Sequence, residues 1–471
     1  MLFFNLILFT FVVSSWCKFP NVYPKLKSYQ HAPDPDDPGA PLFLTPLINS
    51  GKISEAQNAA KVDWIGFKNT TSYAGYLTVN EKTNSNLFFW FFPALNDFEN
   101  APVILWLQGG PGATSLIGLF TENGPFVIKT KHGVKLRKYS WHLYHSVIYI
   151  DNPVGTGYSF TDKDEGYAQN ETAVGEDLYN ALVQFFKLFP NLQKNPFFVT
   201  GESYAGKYVP AFSYTIHTKN PSAGLKINLQ GLAMGNGLSD PGNQLLYGDY
   251  LYQLGLVDSN GRDYFHKVED QCRAFIKGGN WIEAFETFDN LLNGDTINGS
   301  SLFSNITGFH FYFNYLHSED YDSMDMMSSY VQKNYIRKAI HVGNKTFNVE
   351  TSKVEDHLKQ DVMQSVAPWI IQLLANYRVL IYNGQLDIIV AYPLTVNYLK
   401  NLNFNGANEY KTAPRKLWYV DSELAGYVKT AGNLTEVLVR NAGHMVPTDQ
   451  PKWALDLISR FVANKPFVTE E

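Results

Sequence analysis

The chain reads as an α/β protein: a mostly parallel sheet covered on both faces by helices, with a mainly helical subdomain inserted late. Three observations predict this. Short apolar runs such as Phe197-Phe198-Val199-Thr200 are followed at once by Gly-rich turns and then by helix-spaced apolar residues. That unit recurs along the first half of the chain. From about Asp240 to Val366 the texture changes, since aromatic and polar residues mix, helical spacing prevails and Gly-rich strand ends vanish.

Taken in order, Met1 to Cys17 (MLFFNLILFTFVVSSWC) is apolar, ends in small residues and is short for a membrane span. A secretory signal is expected there, although its first residues carry no Lys or Arg. Residues 31–48 are Pro-rich and should run extended over the surface. Strands are expected at Phe88–Phe92, Val103–Leu107, Val147–Ile150, Phe197–Thr200 and Ile227–Ala233, with helices at 172–189 and from Tyr204 to Thr218. Sheet texture resumes at Arg378–Tyr382, Lys416–Val420 and Val437–Val439, and residues 448–463 should form a closing helix. The expected domains are therefore 1–17 (signal), 18–239 and 367–471 (two parts of one core) and 240–366 (helical insertion).

With 471 residues, 45% of them hydrophobic, the chain can bury a large core. A net charge of −6 without a Lys/Arg block argues against nucleic acid or an anionic membrane surface as the main partner. Nothing after the leader approaches a membrane span, and FVTEE is no retention signal. Sequons at Asn69, Asn170, Asn298, Asn305, Asn344 and Asn433 are glycosylation candidates. Loss of the leader leaves one cysteine, Cys272, so no intrachain disulfide is possible and a buried thiol is expected. A secreted or lysosomal protein is the reading.

The chemistry centres on Gly201-Glu202-Ser203-Tyr204-Ala205-Gly206. Strand, tight turn and helix with Ser at the apex is the geometry of a nucleophile elbow. The small residues at 201, 205 and 206 suit a turn wedged between strand and helix. Alone, the segment serves equally as a helix-capping serine. A serine hydroxyl needs a base, and the base needs an orienting carboxylate. Of eleven histidines, His142 and His145 stand three apart with no further ligand cluster, so they read as surface or packing residues and no metal or cofactor is expected. His444 lies between the last strand and the last helix, where an α/β-hydrolase places its base. Asp387 ends the loop after Val379–Tyr382, and the order Ser203, Asp387, His444 is the hydrolase order. An oxyanion requires backbone donors: the N–H of Tyr204 supplies one, and the loop Gln108–Gly112 the other.

WLQGGPGATS (106–115), DNPVGTGYSF (151–160), GESYAGKYVP (201–210), NGQLD (383–387) and GHMVPTDQP (443–451) together resemble the serine carboxypeptidases. SNLFFWFFP, GESYAGKYVPA and AIHVGNKTF look closest to the vitellogenic-like branch. The resemblance covers nearly the whole mature chain. It implies an α/β-hydrolase with a helical insertion. Ser203, Asp387 and His444 would be the triad, and the N–H groups of Gly110 and Tyr204 the oxyanion hole. Gln108, Gly109, Glu122 and Glu202 would bind the free carboxylate of a peptide or protein substrate. Two carboxyls hold a third only while protonated, so acidic pH should favour binding. Otherwise Glu202 is an acid favoured at a helix N-terminus, and Glu122 a solvated loop residue. The chain departs from the family with Gln108 where most members have Asn, Ala113 where Cys is common, and no insertion-domain cystines. Rival readings are an acyltransferase on the same scaffold, indifferent to a free C-terminal carboxylate, and a non-catalytic secreted binding or protective protein, whose serine would resist an organophosphonate.

Overall fold

A computed structural model describes residues 37–62, 70–130, 133–294, 300–319 and 323–468. The expected leader and the sequons at Asn69 and Asn298 lie outside them. Twelve strands are described, in chain order β1 (Tyr73–Asn80), β2 (Ser85–Phe92), β3 (Val103–Leu107), β4 (Phe126–Thr130), β5 (Gly133–Leu136), β6 (Ser146–Ile150), β7 (Phe197–Glu202), β8 (Leu229–Gly235), β9 (Arg378–Gly384), β10 (Lys416–Val420), β11 (Glu423–Ala431) and β12 (Leu434–Val439). Ten of them form one sheet in the order β1-β2-β6-β3-β7-β8-β9-β12-β11-β10, while β4 and β5 pair separately. Strands β6, β3, β7, β8, β9 and β12 run parallel, and antiparallel pairs flank them on both sides.

The parallel strands are apolar because both of their faces are covered. Every residue of β7 is buried, and its neighbours divide between two cores. Phe197 and Val199 pack into the layer that holds the helices Glu171–Leu188 and Ala205–Lys219. Phe198 points the other way and meets Phe461 of the closing helix at 5.8 Å. Fully burying one such ring contributes about 1.5–3 kcal/mol, so both layers hold the central strand in place.

The strand ends coincide. Leu107 pairs with Gly201, Glu202 with Gly235, and Gly384 with Val439. The loops that follow β3, β7, β8, β9 and β12 therefore leave from one edge of the sheet, the carboxyl edge, where open α/β sheets bind ligands. Between β8 and β9 the chain is mainly helical. Two of these helices, Trp281–Leu291 and Ser352–Val362, pack on each other above that edge. Among the described residues no helix is long and apolar enough to cross a membrane.

Several local expectations need correction. Thr45–Asn49, expected to be extended, is a short helix, because Pro46 sits in its first turn where a missing N–H costs nothing. Strand β8 begins at Leu229 rather than Ile227, and β12 at Leu434 rather than Val437. The closing helix is two pieces, Val446–Asp449 and Pro451–Val462, since Pro451 has no N–H to continue the first. Strands β1 and β11 and the β4–β5 hairpin were not anticipated.

Candidate active site

Ser203 follows β7 directly with φ +61°, a left-handed conformation that a side chain adopts at a cost of the order of 1 kcal/mol or more. Surrounding bonds hold it there. Its N–H donates to the Gly235 carbonyl (3.0 Å), and its own carbonyl accepts from Gly206 and Leu238 (2.9 and 3.0 Å). The small neighbours are sterically required. A Cβ on Gly201 would stand 2.5 Å from the Leu107 carbonyl oxygen, and one on Gly206 would stand 2.7 Å from Gly237. Gly109, in the loop after β3, presses on the same turn, since its Cβ would lie 2.5 Å from the Tyr204 nitrogen.

His444 reaches this edge from the loop after β12, and Asp387 from the loop after β9. The His444 Nδ1–Asp387 Oδ2 distance is 2.9 Å, and both residues are buried. Asp387 accepts three further bonds, from Asn236 Nδ2 (2.7 Å) and from the N–H groups of Ile389 (3.2 Å) and Val390 (3.1 Å). So many donors hold the carboxylate in one orientation. The His444 ring is held face-on by Phe313, with centroids 4.7 Å apart and planes within 10°. The backbone N–H of His444 donates to the Phe313 carbonyl at 2.7 Å. With Nδ1 engaged, Nε2 is left buried and without a hydrogen-bond partner among the described residues. It faces a cavity of about 610 Å³ whose wall also includes Ser203, Gly110, Gln108 and Glu202.

The N–H groups of Gly110 and Tyr204 donate to no backbone carbonyl among the described residues. Gly110 (φ +105°) and Gly112 (φ +92°) sit in conformations that favour glycine, which keeps this loop close to the elbow. Asp151, at the end of β6, braces it by accepting from Thr114 Oγ1 (2.5 Å) and from the N–H groups of Ser115 (3.1 Å) and Tyr158 (2.8 Å). Burial pushes the Asp151 carboxyl up to about 7 despite these bonds.

Glu202 and Glu122 are both fully buried. Glu122 closes a single turn, Gly118–Glu122, and is not a solvated loop residue. It interacts side chain to side chain with Glu202 and is not on the described cavity wall. Burial, and for Glu202 also the facing carboxyl, holds both well above the usual carboxylate range. Gln108 connects them to the wall: its Nε2 donates to Glu202 Oε1 (2.8 Å), and its Oε1 accepts from Trp106 Nε1 (3.0 Å). The indole holds the amide in place, so the longer side chain still reaches the acid pair.

Other expectations find plain placements. His142 and His145 are packing residues: Ser140 Oγ lies 2.6 Å from His142 Nδ1, and the Trp141 carbonyl 3.0 Å from His145 Nδ1. Burial pushes both imidazoles down to about 4. Cys272 is buried, its thiol pushed up to about 12 and within 3.3 Å of the Ala284 carbonyl. Asn170, Asn305 and Asn344 are exposed, and Asn433, though exposed, donates its Nδ2 to the Leu374 carbonyl (2.9 Å). Asn236, Phe313 and Asp151 escaped sequence reasoning. The Asp and Asn at strand ends carried a faint signal, and Phe313 none.

Residues 65–464 match the family model described as serine carboxypeptidase. The chain is 61% identical to the venom serine carboxypeptidase of Apis mellifera, covering 98% of this chain and 99% of the relative. It is 51% identical to the vitellogenic carboxypeptidase of Aedes aegypti, over 97% of each. It is also 49% identical to the probable serine carboxypeptidase CPVL of Homo sapiens, over 92% of each. The crystal structure of a prohormone-processing carboxypeptidase from Saccharomyces cerevisiae superposes with a TM-score of 0.77 at 23% identity, covering 88% of this chain and 98% of that one, which bears on the fold alone. This chain belongs to the serine carboxypeptidase family.

Proposed function

We propose that this serine carboxypeptidase releases C-terminal residues from peptides through an acyl-enzyme on Ser203. One observation carries the reading: a buried pair of carboxyls, Glu202 and Glu122, tied to Gln108 beside the cavity that Ser203 and His444 share. A site with no call for a free substrate carboxylate gains nothing from two buried acids, each costly to desolvate.

In this reading Ser203 Oγ attacks the last peptide carbonyl while His444 Nε2 takes its proton. Asp387 keeps the other proton on Nδ1 and stabilises the imidazolium that forms. The N–H groups of Gly110 and Tyr204 receive the oxyanion. His444 then gives its proton to the leaving amine, and water releases the acyl group by the same steps in reverse. Gln108, Gly109 and Glu202 hold the α-carboxylate of the departing residue, and Glu122 completes the acid pair behind Glu202. While the acid pair keeps its protons it donates to that carboxylate; once ionised, it repels it. Acidic pH is favoured accordingly.

The apolar leader at 1–17, the exposed sequons and the similarity to a venom enzyme support passage through the secretory pathway to the exterior or the lysosome. The helical insertion is taken as 240–366, within a core of 18–239 and 367–471. Blocked dipeptides with a free or an amidated C-terminus test the proposal. Release from the free acid only, abolished by Ser203→Ala, is expected; equal turnover of the amide would favour acyl transfer without carboxylate recognition.

A further inference from the structure

One irregular stretch, Tyr312–Tyr315, reaches both the loop that carries Asp387 and the loop that carries His444. It follows the helix Leu302–Thr307 in the mainly helical segment between β8 and β9. On the acid side, the Tyr312 carbonyl accepts from the Ile388 N–H (3.1 Å) and shares the Ile389 N–H with Asp387 (3.2 Å). The Tyr315 N–H donates to the Leu386 carbonyl at 2.9 Å, so Asp387 is held from both of its chain neighbours. On the base side, the Phe313 carbonyl takes the backbone N–H of His444, and the Phe313 ring lies flat on the imidazole.

A second hold on the base loop comes from Asp449. The short helix Val446–Asp449 folds the chain back, and Asp449 Oδ2 accepts from the N–H of Gly443 (2.6 Å), the residue before the imidazole. Asn314 Nδ2 lies 3.4 Å from the same oxygen. Asn314 is buried, and its Oδ1 accepts from the Leu316 N–H (3.0 Å), which turns its NH2 end toward Asp449. Gly443 is gripped between these groups: a Cβ there would stand 2.2 Å from the Phe313 carbonyl oxygen and 3.2 Å from Asp449 Oδ2. Neither Asp449 nor Asn314 is on the described wall of the cavity beside Ser203. Whatever they contribute to the reaction passes through the placement of the His444 loop.

We propose that Asp449 and Asn314 are positioning residues for His444, setting through the Gly443 amide and the Phe313 backbone where Nε2 stands relative to Ser203. The assignment rests on the proposed role of His444 as the base. Misplacing a reacting group by about 1 Å can cost about a hundredfold in rate, and loss of one charge-assisted bond with the Phe313 contacts intact costs less. Asp449→Ala should lower kcat for a blocked dipeptide about tenfold and leave KM within about twofold. Asp449→Asn keeps an oxygen for the Gly443 N–H and should recover most of that loss. Asn314→Ala should act in the same direction, about threefold. Organophosphonate labelling separates positioning from mere stability. Partial unfolding lowers the number of labels per chain, whereas a displaced base leaves one label per chain and slows its uptake. Each variant should take one label, more slowly by the same factor as kcat. Labelling of Asp449→Ala and Asn314→Ala at the wild-type rate, or an Asp449→Asn no faster than Asp449→Ala, overturns the assignment. A wild type that takes no label and releases no residue would instead refute the reading of Ser203 and His444 beneath it.

Discussion

Recognition of the substrate carboxylate should titrate in a direction fixed by the Glu122–Glu202 pair. The carboxyls are fully buried and contact one another, and Gln108 donates to Glu202 at 2.8 Å. With the pair protonated, a substrate carboxylate finds donors. Loss of a proton as pH rises through neutrality places a full negative charge in the same hydrogen-bonded shell. At about 4 Å and an effective dielectric of about 20, two like charges repel by about 4 kcal/mol, an upper bound because solvent enters the cavity. KM for a free-acid dipeptide should therefore rise about tenfold between about pH 5 and about pH 8, the most that loss of one proton near 7 allows over that interval. The amidated analogue lacks the second charge, and its affinity should change little over that range. Glu202→Gln, which cannot ionise, should flatten the profile. A KM that is flat for the acid, or that rises equally for the amide, would refute the reasoning.

Other consequences are local. Asn236→Ala removes the 2.7 Å donor to Asp387 Oδ2 and should lower kcat about tenfold with KM little changed, read from steady-state kinetics. Lys207, fully buried, pairs with Asp361 at 3.0 Å and donates to the Val362 carbonyl at 3.1 Å, tying the helix after Ser203 to the end of the helix that walls the cavity. Lys207→Met strands a buried carboxylate and should cost about 3–5 kcal/mol in a denaturant melt, partly recovered by Asp361→Leu in the same chain. Asp151 and Glu171 are raised by burial to about 7 and about 8. Raised acids bind more protons folded than unfolded, so their contribution is complete below the ordinary carboxylate range and is lost as pH climbs through those values. Buried neutral His142 and His145 withdraw stability on the acid side, below about 6.5. Tm should therefore fall from about pH 6.5 to about pH 8; a rise over that interval would contradict the assigned burial costs.

The central sheet and the tight turn at Ser203 were legible because short-range sterics leave marks. An elbow needs small residues at 201, 205 and 206, and buried parallel strands read as unbroken apolar runs. Strand β11 was missed because Glu423 to Ala431 mixes Gly and Lys into an antiparallel, half-exposed pattern. The helix at Thr45–Asn49 hid behind Pro46, which marks a first turn as readily as an extended run. Phe313 was illegible for a different reason. It lies among many aromatic residues, and only the return of the insertion onto the loop at His444 sets its ring against that imidazole. Asn236 follows a strand in a Gly-rich stretch, where Asn is an ordinary turn residue. Its bond to Asp387 spans 151 positions.

The most direct measurement is stoichiometric labelling of the protein by an organophosphonate, with the modified residue mapped by peptide mass spectrometry. One phosphonyl group per chain on Ser203, with parallel loss of C-terminal residue release, is the predicted result. Label on another residue, or release that continues with Ser203 fully modified, would contradict the account.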